Sequence, residues 1–254
     1  MNSLRLCKYR FTLRFTSDTK LPFFMGNTIR GALGRVLGEA AYNGMFKVAS
    51  DVSIPNPFAV SVPYPSLRQY SKGSKLDFFI TLFANACDFL PDVITAAQNM
   101  CRGKFANCVL DGGELVYERI WSDSGAETIP YCDMLTIRFV TPAEILNSKQ
   151  LIKELPFAGF TESLFGRIAG IIDNYTESKF IIPYSLIALK PHIRADYNLK
   201  EIRFETSGQT INGVTGTVRY LGDVTPYLPY IDLGSQIHIG KKTTRGCGEF
   251  VFEI

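Results

Sequence analysis

The feature that most constrains the fold is an order of strand-like and helix-like segments that occurs twice along the chain. Residues 4–16 (LRLCKYRFTLRFT) nearly alternate between apolar and polar side chains, which predicts a strand. A helix-like segment follows, and residues 75–86 (KLDFFITLFANA) form an apolar run typical of a buried strand. The second half repeats this plan. The pattern therefore predicts an α+β protein built of two tandem ferredoxin-like (RRM-like, βαββαβ) units.

The first predicted helix lies in LPFFMGNTIRGALGRVLGEAAYN (21–43), with Asn27 as its N-cap. Its apolar positions at helical spacing are Ile29, Leu33, Val36, Leu37 and Ala40. Gly31, Gly34 and Gly38 would each destabilise this helix by up to about 1 kcal/mol relative to Ala. We therefore expect these glycines to serve close packing on one helix face.

The other elements follow from the same rules, and they predict an N-terminal domain over 1–124 and a C-terminal domain over 131–254, with a linker at 122–130. Predicted helices cover DFLPDVITAAQNMC (88–101) and GFTESLFGRIAGIIDNY (159–175), and the second has its apolar face at Leu164, Ile168, Ile171, Ile172 and Tyr175. Predicted strands cover 115–121, 134–140, 201–209, 215–222, SQIHIG (235–240) and 248–254, with an extended segment over 53–75 and a turn or short helix at 225–230.

Composition narrows the class of protein. The 254 residues are 46% hydrophobic and 20% charged with a net charge of +3, which is typical of a globular protein with a mild preference for anionic partners. Six cysteines without a CxxC pair, and only two histidines, predict reduced core thiols rather than a zinc site. We expect no metal, no cofactor, no secretion signal and no membrane span, and therefore a cytoplasmic protein.

Four stretches together resemble the CRISPR-associated pre-crRNA-processing endoribonucleases of the RAMP superfamily, in the group found with many type I and type III systems. They are LPFFMGNTIRGALGRVL, KLDFFITLFANACDFLPDVITAAQNM, LTIRFVTPAEI, and VTGTVRYLGDVTPYLPYIDLGSQIHIGKKTTRGCGEFVFEI. The stretches span nearly the whole chain. Glycine-rich loops and the Arg-Gly-Ala helix recur across RAMP proteins, so the order and spacing of the four blocks carry the resemblance.

The resemblance implies tandem ferredoxin-like domains and recognition of CRISPR repeat RNA. It also implies metal-independent cleavage, in which a ribose 2′-OH attacks the adjacent phosphate and leaves a 2′,3′-cyclic phosphate and a 5′-OH. Such chemistry needs a base, an acid and a cation that stabilises the phosphorane. Other subunits of a CRISPR effector complex are further expected partners.

The glycine-rich stretch HIGKKTTRGCGEF (238–250) contains the principal candidate RNA contacts. It fails as a Walker A motif because Ser235 and Lys242 stand where Gly and Ser or Thr are needed. One interpretation is a backbone cradle for phosphates, and the other is a hairpin turn with solvated cations. The candidate RNA-binding residues here are Gly240, Lys241, Lys242, Arg245, Gly246 and Gly248. The neighbouring His238, placed in a predicted strand, is more readily a packed histidine than a catalytic one.

The candidate catalytic residues are Arg30, Tyr42, Lys47 and His192. Many members of the family carry a catalytic histidine soon after the first helix, but this chain has no histidine before His192. The segment AAYNGMFK (40–47) offers Tyr42 and Lys47 instead, and members without this histidine can rely on Lys, Arg or Tyr. Arg30 either stabilises the phosphorane charge or fixes the first helix structurally. His192 is either a catalytic base or a surface residue.

Further candidate RNA-binding residues are Arg35, Arg194 and Arg203. Lys8, Arg10 and Arg14 share one face of the first predicted strand, and a solvated edge explains them without RNA. Two functions remain open from the sequence: the endoribonuclease, and a non-catalytic RAMP subunit that holds guide RNA in an effector complex. A third, an unrelated enzyme acting on a small anion, lacks paired carboxylates or a nucleophile constellation.

Overall fold

A computed structural model describes residues 3–47, 54–123, 130–147, 150–151, 154–189, 192–206 and 208–254 of the chain. The chain divides into two compact units. The N-terminal unit comprises Arg5–Ile120 and Thr244–Gly246, and the C-terminal unit comprises Met1–Leu4, Trp121–Thr243 and Cys247–Ile254. Most of the predicted linker, residues 124–129, lies outside the described residues, and the domain limits at 124 and 131 stay a prediction.

The N-terminal unit is built around one four-stranded antiparallel sheet with two main helices. Its elements are β1 (Ser3–Phe15), β2 (Thr19–Lys20), α1 (Gly26–Val36), α2 (Glu39–Tyr42), β3 (Phe58–Ser61), β4 (Gln69–Tyr70), β5 (Lys75–Phe83), α3 (Leu90–Met100) and β6 (Cys108–Ser122). A π-helical turn spans Asn43–Lys47 and a 3₁₀ turn spans Ala84–Phe89. The sheet order is β3-β5-β1-β6, and β2 pairs separately with β4. The order of the main elements, β1-α1-β3-β5-α3-β6, is therefore the predicted βαββαβ plan.

Alternation along β1 and β5 separates a buried face from a charged face. Phe11 lies opposite Phe78 with ring centroids 5.0 Å apart, and Leu13 lies opposite Leu76. Helices α1 and α3 pack against each other, and both bury apolar side chains such as Ile29. This buried face gives the sheet and helices a common core.

The basic residues of β1 form ion pairs within the same unit. Arg10 pairs with Glu114 at 3.0 Å and Arg14 pairs with Asp111 at 2.8 Å, both carboxylates being on β6. Arg5 of β1 pairs with Glu118, which is also on β6, at 2.8 Å. These ion pairs account for the arginines of β1 without RNA. The strand lies between β5 and β6, so the predicted solvated edge was wrong.

The C-terminal unit repeats the plan. Its elements are β7 (Met134–Ala143), β8 (Leu146–Asn147), β9 (Gln150–Leu151), α4 (Phe157–Tyr175), α5 (Tyr184–Leu189), β10 (Arg194–Thr206), β11 (Gln209–Leu221), α6 (Leu228–Ile237) and β12 (Phe250–Glu253). The sheet order is β10-β11-β7-β12, which is the strand order of the first sheet, and β8 pairs with β9. Leu164, Ile168, Ile171 and Ile172 of α4 are buried as predicted, and Tyr175 is half-buried. The tandem ferredoxin-like fold is confirmed.

Three local predictions were wrong. Helix α1 begins at Gly26 with Met25 as its N-cap, so Asn27 is not the cap. The helix ends at Val36 because Leu37 is extended (φ −65°, ψ 139°), which leaves Ala40 exposed. The predicted strand SQIHIG does not form, since α6 continues to Ile237 and buries apolar residues along its length.

All six cysteines are free thiols, and four of them, Cys7, Cys87, Cys108 and Cys247, are buried. Burial raises the pKa of the Cys87 thiol to about 12 and that of Cys108 to about 11. Both therefore stay protonated at neutral pH, and the reactive thiolate is suppressed. Within the described part of the chain, no helix is both long and apolar enough to cross a membrane.

We predict that the hydroxyl of Tyr220 stabilises the C-terminal unit. The ring is fully buried, and its hydroxyl donates a hydrogen bond of 3.0 Å to the Leu155 carbonyl oxygen. Tyr220→Phe should lower the free energy of unfolding by about 1–3 kcal/mol, because a buried acceptor loses its donor. Denaturant titration measures this loss. The matched control is Tyr184→Phe, whose side chain is 82% exposed and whose loss should leave the stability unchanged.

Candidate functional site

The break after α1 brings together three of the four candidate catalytic residues, Arg30, Tyr42 and Lys47, but not His192. Gly38 precedes α2, and the π-helical turn Asn43–Lys47 carries Phe46 back over α1. A Cβ at Gly34 would lie 3.0 Å from Cε1 of Phe46, and a Cβ at Gly44 would lie 2.4 Å from Cε2 of Phe89. These glycines therefore permit the close packing that places the segment on α1.

Four side chains form a row of cations and aromatic rings, which we call the α1 cluster: Arg30, Phe46, Tyr42 and Lys47. The guanidinium carbon of Arg30 lies 4.9 Å from the centroid of the Phe46 ring. Phe46 stacks on Tyr42 with centroids 5.3 Å apart and planes 7° apart, and Nζ of Lys47 lies 5.7 Å from the centroid of Tyr42. Cations over aromatic faces are attracted by the ring quadrupole, so each ring helps to fix a charge.

The side chain of Arg30, on α1, contacts the segment Thr244–Gly246 of the same unit. Its Nε donates a hydrogen bond of 3.2 Å to Oγ1 of Thr244. Burial lowers the pKa of the Arg30 guanidinium, and the charge of Arg245 lowers it further, whereas Tyr42 raises it. Among the described residues, no carboxylate forms an ion pair with Arg30 or Arg245. Within the described part of the chain, these two cations therefore have no carboxylate partner.

The approach of Arg245 to α1 depends on a glycine. A Cβ at Gly26 would lie 1.9 Å from the Arg245 carbonyl oxygen. Gly246 has a positive φ of 84°, and a Cβ there would lie 3.1 Å from Cγ2 of Val62 and 3.5 Å from Cζ of Phe24. No acidic residue occupies the first turn of α1, where the helix dipole favours negative charge. The first turn of α1, Arg30 and Arg245 therefore form an electropositive site.

The rest of the glycine-rich stretch belongs to the C-terminal unit, where hydrogen bonds fix it. The backbone N–H of Ile239 donates to the Gly248 carbonyl at 3.0 Å, and that of Gly248 donates to the Pro142 carbonyl at 2.9 Å. A Cβ at Gly248 would lie 1.8 Å from the Ile239 carbonyl oxygen. The stretch lies between α6 and β12 and does not form a hairpin turn. The interpretation of this stretch as a hairpin turn was therefore wrong.

His238 is buried and has no strand geometry. Its exposed fraction is 1%, its φ is +62°, and its Nδ1 lies 3.2 Å from the Cys247 carbonyl oxygen. Its placement in a strand was wrong, because α6 ends directly before it. The side chain is therefore packed against the backbone of the glycine-rich stretch.

The two lysines of the stretch have different surroundings. The ammonium of Lys242 pairs with the Glu144 carboxylate and donates to the Thr210 carbonyl at 3.0 Å, which is a structural role. Lys241 is exposed, and its backbone N–H donates to the Glu144 carbonyl at 2.9 Å. Lys241 is therefore the better placed of the two to contact an external anion.

The remaining candidates are surface residues. Arg35 lies exposed near the end of α1. His192, Arg194 and Arg203 belong to the C-terminal unit and are exposed, with Arg194 beginning β10 and Arg203 opposite Asn212 of β11. Among the described residues, no group of three or more His, Cys, Asp or Glu side chains is placed to hold a metal ion.

Sequence reasoning missed two members of the site, Phe46 and Thr244. The i, i+4 spacing of Tyr42 and Phe46 was a readable signal for two rings on one helical face. Thr244 gave no signal, because its hydrogen bond to Arg30 joins residues 214 positions apart.

Comparisons with known proteins agree with this fold. A family model described as CRISPR-associated endoribonuclease Cas6 matches residues 137–250, and a second model, described as an N-terminal domain, matches residues 41–130. A solved Thermus thermophilus Cas6 is 16% identical, with 98% of this chain and 99% of that chain covered and a TM-score of 0.67. A comparison with curated proteins finds no match.

Two further solved structures share the fold. A Cas6 product complex is 18% identical, with 98% of this chain and 100% of that chain covered and a TM-score of 0.64. A chain of a partial Cas6-RT-Cas1–Cas2 complex is 10% identical, with 98% and 46% covered and a TM-score of 0.68. Both units of the present chain are thus included in the similarity.

We predict that Gly26 tolerates no side chain. Gly26→Ala should lower the free energy of unfolding by about 1–3 kcal/mol, because the new Cβ would overlap the Arg245 carbonyl. Gly31→Ala on the same helix is the matched control, since a Cβ there meets no atom within 4 Å. It should be neutral or stabilise the protein by up to about 1 kcal/mol. Equal stabilities of the two variants in thermal unfolding would contradict this packing.

Proposed function

We propose that this chain, whose residues 137–250 match the Cas6 family model, is a Cas6-type endoribonuclease that binds CRISPR repeat RNA and cleaves precursor crRNA at the α1 cluster and Arg245. One observation carries the location of the site: Arg30 and Arg245 lie close together with no carboxylate partner among the described residues. A phosphate between them would relieve the repulsion that lowers the pKa of Arg30. The RNA backbone supplies such a phosphate.

The proposed reaction is internal transesterification. The 2′-oxygen of the ribose forms a bond to the adjacent phosphorus and loses its proton to a base. The bond from phosphorus to the 5′-oxygen breaks, and that oxygen receives a proton from an acid. The products are a 2′,3′-cyclic phosphate and a 5′-OH, and the atoms balance without a metal ion.

Arg30 and Arg245 are proposed to bind the non-bridging phosphate oxygens. A guanidinium remains protonated in proteins, so it stabilises charge and does not shuttle protons. Its planar donors match two phosphate oxygens, and they act most strongly on the doubly charged phosphorane. Thr244 and Phe46 hold the Arg30 group in place.

Tyr42 and Lys47 are proposed for proton transfer and charge stabilisation. The phenol of Tyr42 is the hydroxyl group of the α1 cluster, and the Lys47 ammonium lies against its ring. His192 is retained as an alternative base, and it belongs to the C-terminal unit. Arg35, Lys241, Arg194 and Arg203 are proposed as backbone contacts, with Gly240 and Gly246 supplying main-chain groups. Gly248 is not among them, because its N–H and its carbonyl already bond to Pro142 and Ile239.

Solved structures of similar proteins support this assignment. One is a Cas6 product complex and another is a Cas6 substrate mimic complex. The similarity to a chain of the Cas6-RT-Cas1–Cas2 complex supports other CRISPR proteins as partners. We also propose a cytoplasmic location, which the six free thiols support.

The second candidate function is a non-catalytic RAMP subunit that holds guide RNA. The sequence has no histidine before His192, and this observation favours it. The same pair of arginines would bind a phosphate without cleaving the chain. Cleavage by the purified protein separates the two functions.

We predict cleavage of a labelled repeat RNA in EDTA. A single 2′-deoxy nucleotide directly upstream of the cut should abolish product, because the attacking oxygen is gone. Gel analysis of single-turnover reactions measures this, and a 3′-terminal cyclic phosphate identifies the product. A requirement for Mg²⁺, or cleavage of the deoxy substrate, would falsify the mechanism. Tight binding with no cleavage over hours selects the non-catalytic subunit.

We predict that Arg30→Met lowers the single-turnover rate by about 10²–10³-fold, because phosphorane charge loses a fixed donor. RNA affinity should fall less, by about tenfold. The control Arg102→Met removes an exposed cation of the same unit on the turn after α3 and should change neither value.

Tyr42→Phe extends the same experiment, since it keeps the ring stacked on Phe46 and removes only the hydroxyl. Loss of rate with unchanged affinity assigns a proton-transfer role to Tyr42. An unchanged rate removes Tyr42 from the chemistry. A wild-type rate in Arg30→Met would refute the proposed phosphate site.

A further inference from the structure

A second surface of the N-terminal unit carries aromatic rings and a cation. We call it the aromatic patch and define it as Phe23, Tyr64 and Arg68. The rings of Phe23 and Tyr64 lie 6.2 Å apart between centroids, and the guanidinium carbon of Arg68 lies 5.6 Å from the Phe23 centroid. Both rings are only half-buried and Arg68 is exposed. The patch therefore presents planar groups to the solvent.

Contacts join the aromatic patch to the electropositive site. Tyr64 meets Phe24 edge-on with centroids 5.7 Å apart. A Cβ at Gly246 would lie 3.5 Å from Cζ of Phe24, and Gly246 directly follows Arg245. Phe24 and Val62 both lie next to Gly246. In the sequence, Phe24 directly follows Phe23, and Val62 stands two residues before Tyr64.

Hydrogen bonds hold the patch rigid. β2 pairs with β4, and the ladder continues as the N–H of Leu21 donates to the Arg68 carbonyl at 3.0 Å. The N–H of Ser66 donates to the Phe23 carbonyl at 2.7 Å, and the Ser66 hydroxyl donates to the Pro63 carbonyl at 2.7 Å. A surface fixed in this way loses little conformational freedom when a ligand binds.

The charge of the patch favours an anionic ligand. Residues 19–25 and 62–70 contain no aspartate or glutamate, and they contribute the exposed cations Lys20 and Arg68. Within the described residues, neither cation forms an ion pair. Half-buried rings next to cations that form no ion pair among the described residues match a nucleotide, whose base stacks and whose phosphate is negative.

We propose that the aromatic patch binds an unpaired base of the repeat RNA next to the phosphate held by Arg30 and Arg245. The base stacks on the accessible ring faces, and Arg68 contacts the phosphate of the same nucleotide. This inference rests on the proposed function, since it needs the RNA backbone to run across the electropositive site. It adds a subsite that selects single-stranded RNA beside the cut.

The test is a double-mutant cycle between protein and RNA. A set of repeat RNAs, each with one abasic position, is titrated against the wild type and Tyr64→Leu, which keeps apolar bulk but removes the aromatic face. Wild type should bind the RNA lacking the contacted base about 5–100-fold more weakly than intact RNA. In Tyr64→Leu this difference should shrink to within about twofold. Phe23→Leu is the second variant.

The contribution of Arg68 is measured separately, by the salt dependence of RNA affinity. Arg68→Gln should reduce the slope of log affinity against log salt by about 0.7, the value for one contact to a single strand. Arg102→Gln is the matched control and should leave the slope unchanged. Retention of the full abasic profile in both ring variants overturns the proposal, as does an unchanged salt slope in Arg68→Gln.

The outcomes separate this proposal from the proposed function. If wild type cleaves repeat RNA and both ring variants keep its abasic profile, only the aromatic patch assignment fails. If wild type binds no repeat RNA at low salt, the function itself fails. If all abasic RNAs bind equally to the wild type, the patch takes no base, and a docking protein segment becomes its explanation.

Discussion

The site depends on one close backbone contact, that of the Arg245 carbonyl with Gly26 at the start of α1. A Cβ at Gly26 would lie 1.9 Å from this carbonyl oxygen, so any larger residue would push the chain away. The contact brings Thr244 within hydrogen-bond distance of Arg30 and places a second guanidinium beside it. Glycine at this position therefore permits the backbone of Arg245 to lie against the start of α1.

The charge of Arg30 is disfavoured in the free protein, and a bound anion would stabilise it. Burial removes water from the guanidinium, and repulsion by the charge of Arg245 adds to this cost, so both effects lower the pKa of Arg30. Elsewhere on the same unit, Arg5, Arg10 and Arg14 are neutralised by acidic residues of β6. The arginines of β1 are therefore neutralised within the fold, whereas we propose that Arg30 and Arg245 hold their charge for a ligand.

The sequence was sufficient for the architecture because hydrophobic periodicity is a local signal. The alternation in β1 and the helical spacing in α4 correctly predicted their buried faces, and the doubled order of elements predicted both sheets. SQIHIG failed because isoleucines flank a histidine in a strand-like pattern, whereas α6 actually ends between them with a positive φ at His238. Contacts such as Arg30 with Thr244 are set by the tertiary fold, and no short-range pattern encodes them. The family resemblance drew attention to Arg30 and Arg245, but only the coordinates place them together.

The absence of an early histidine has a definite consequence for the chemistry. A histidine moves protons near neutral pH, whereas guanidinium groups provide charge without proton exchange. We propose that the permanent charges of Arg30 and Arg245 act on the phosphorane, and that proton transfer is left to a separate group, for which Tyr42, Lys47 and His192 are the candidates. Stabilising the phosphorane requires stronger binding in the transition state than in the ground state. Two guanidiniums meet this condition because the phosphorane gains negative charge as the 2′-oxygen attacks. Under this proposal, binding without cleavage would follow if no group accepted the 2′-proton, so the proton-transfer group, rather than the arginines, separates an enzyme from a subunit that only holds RNA.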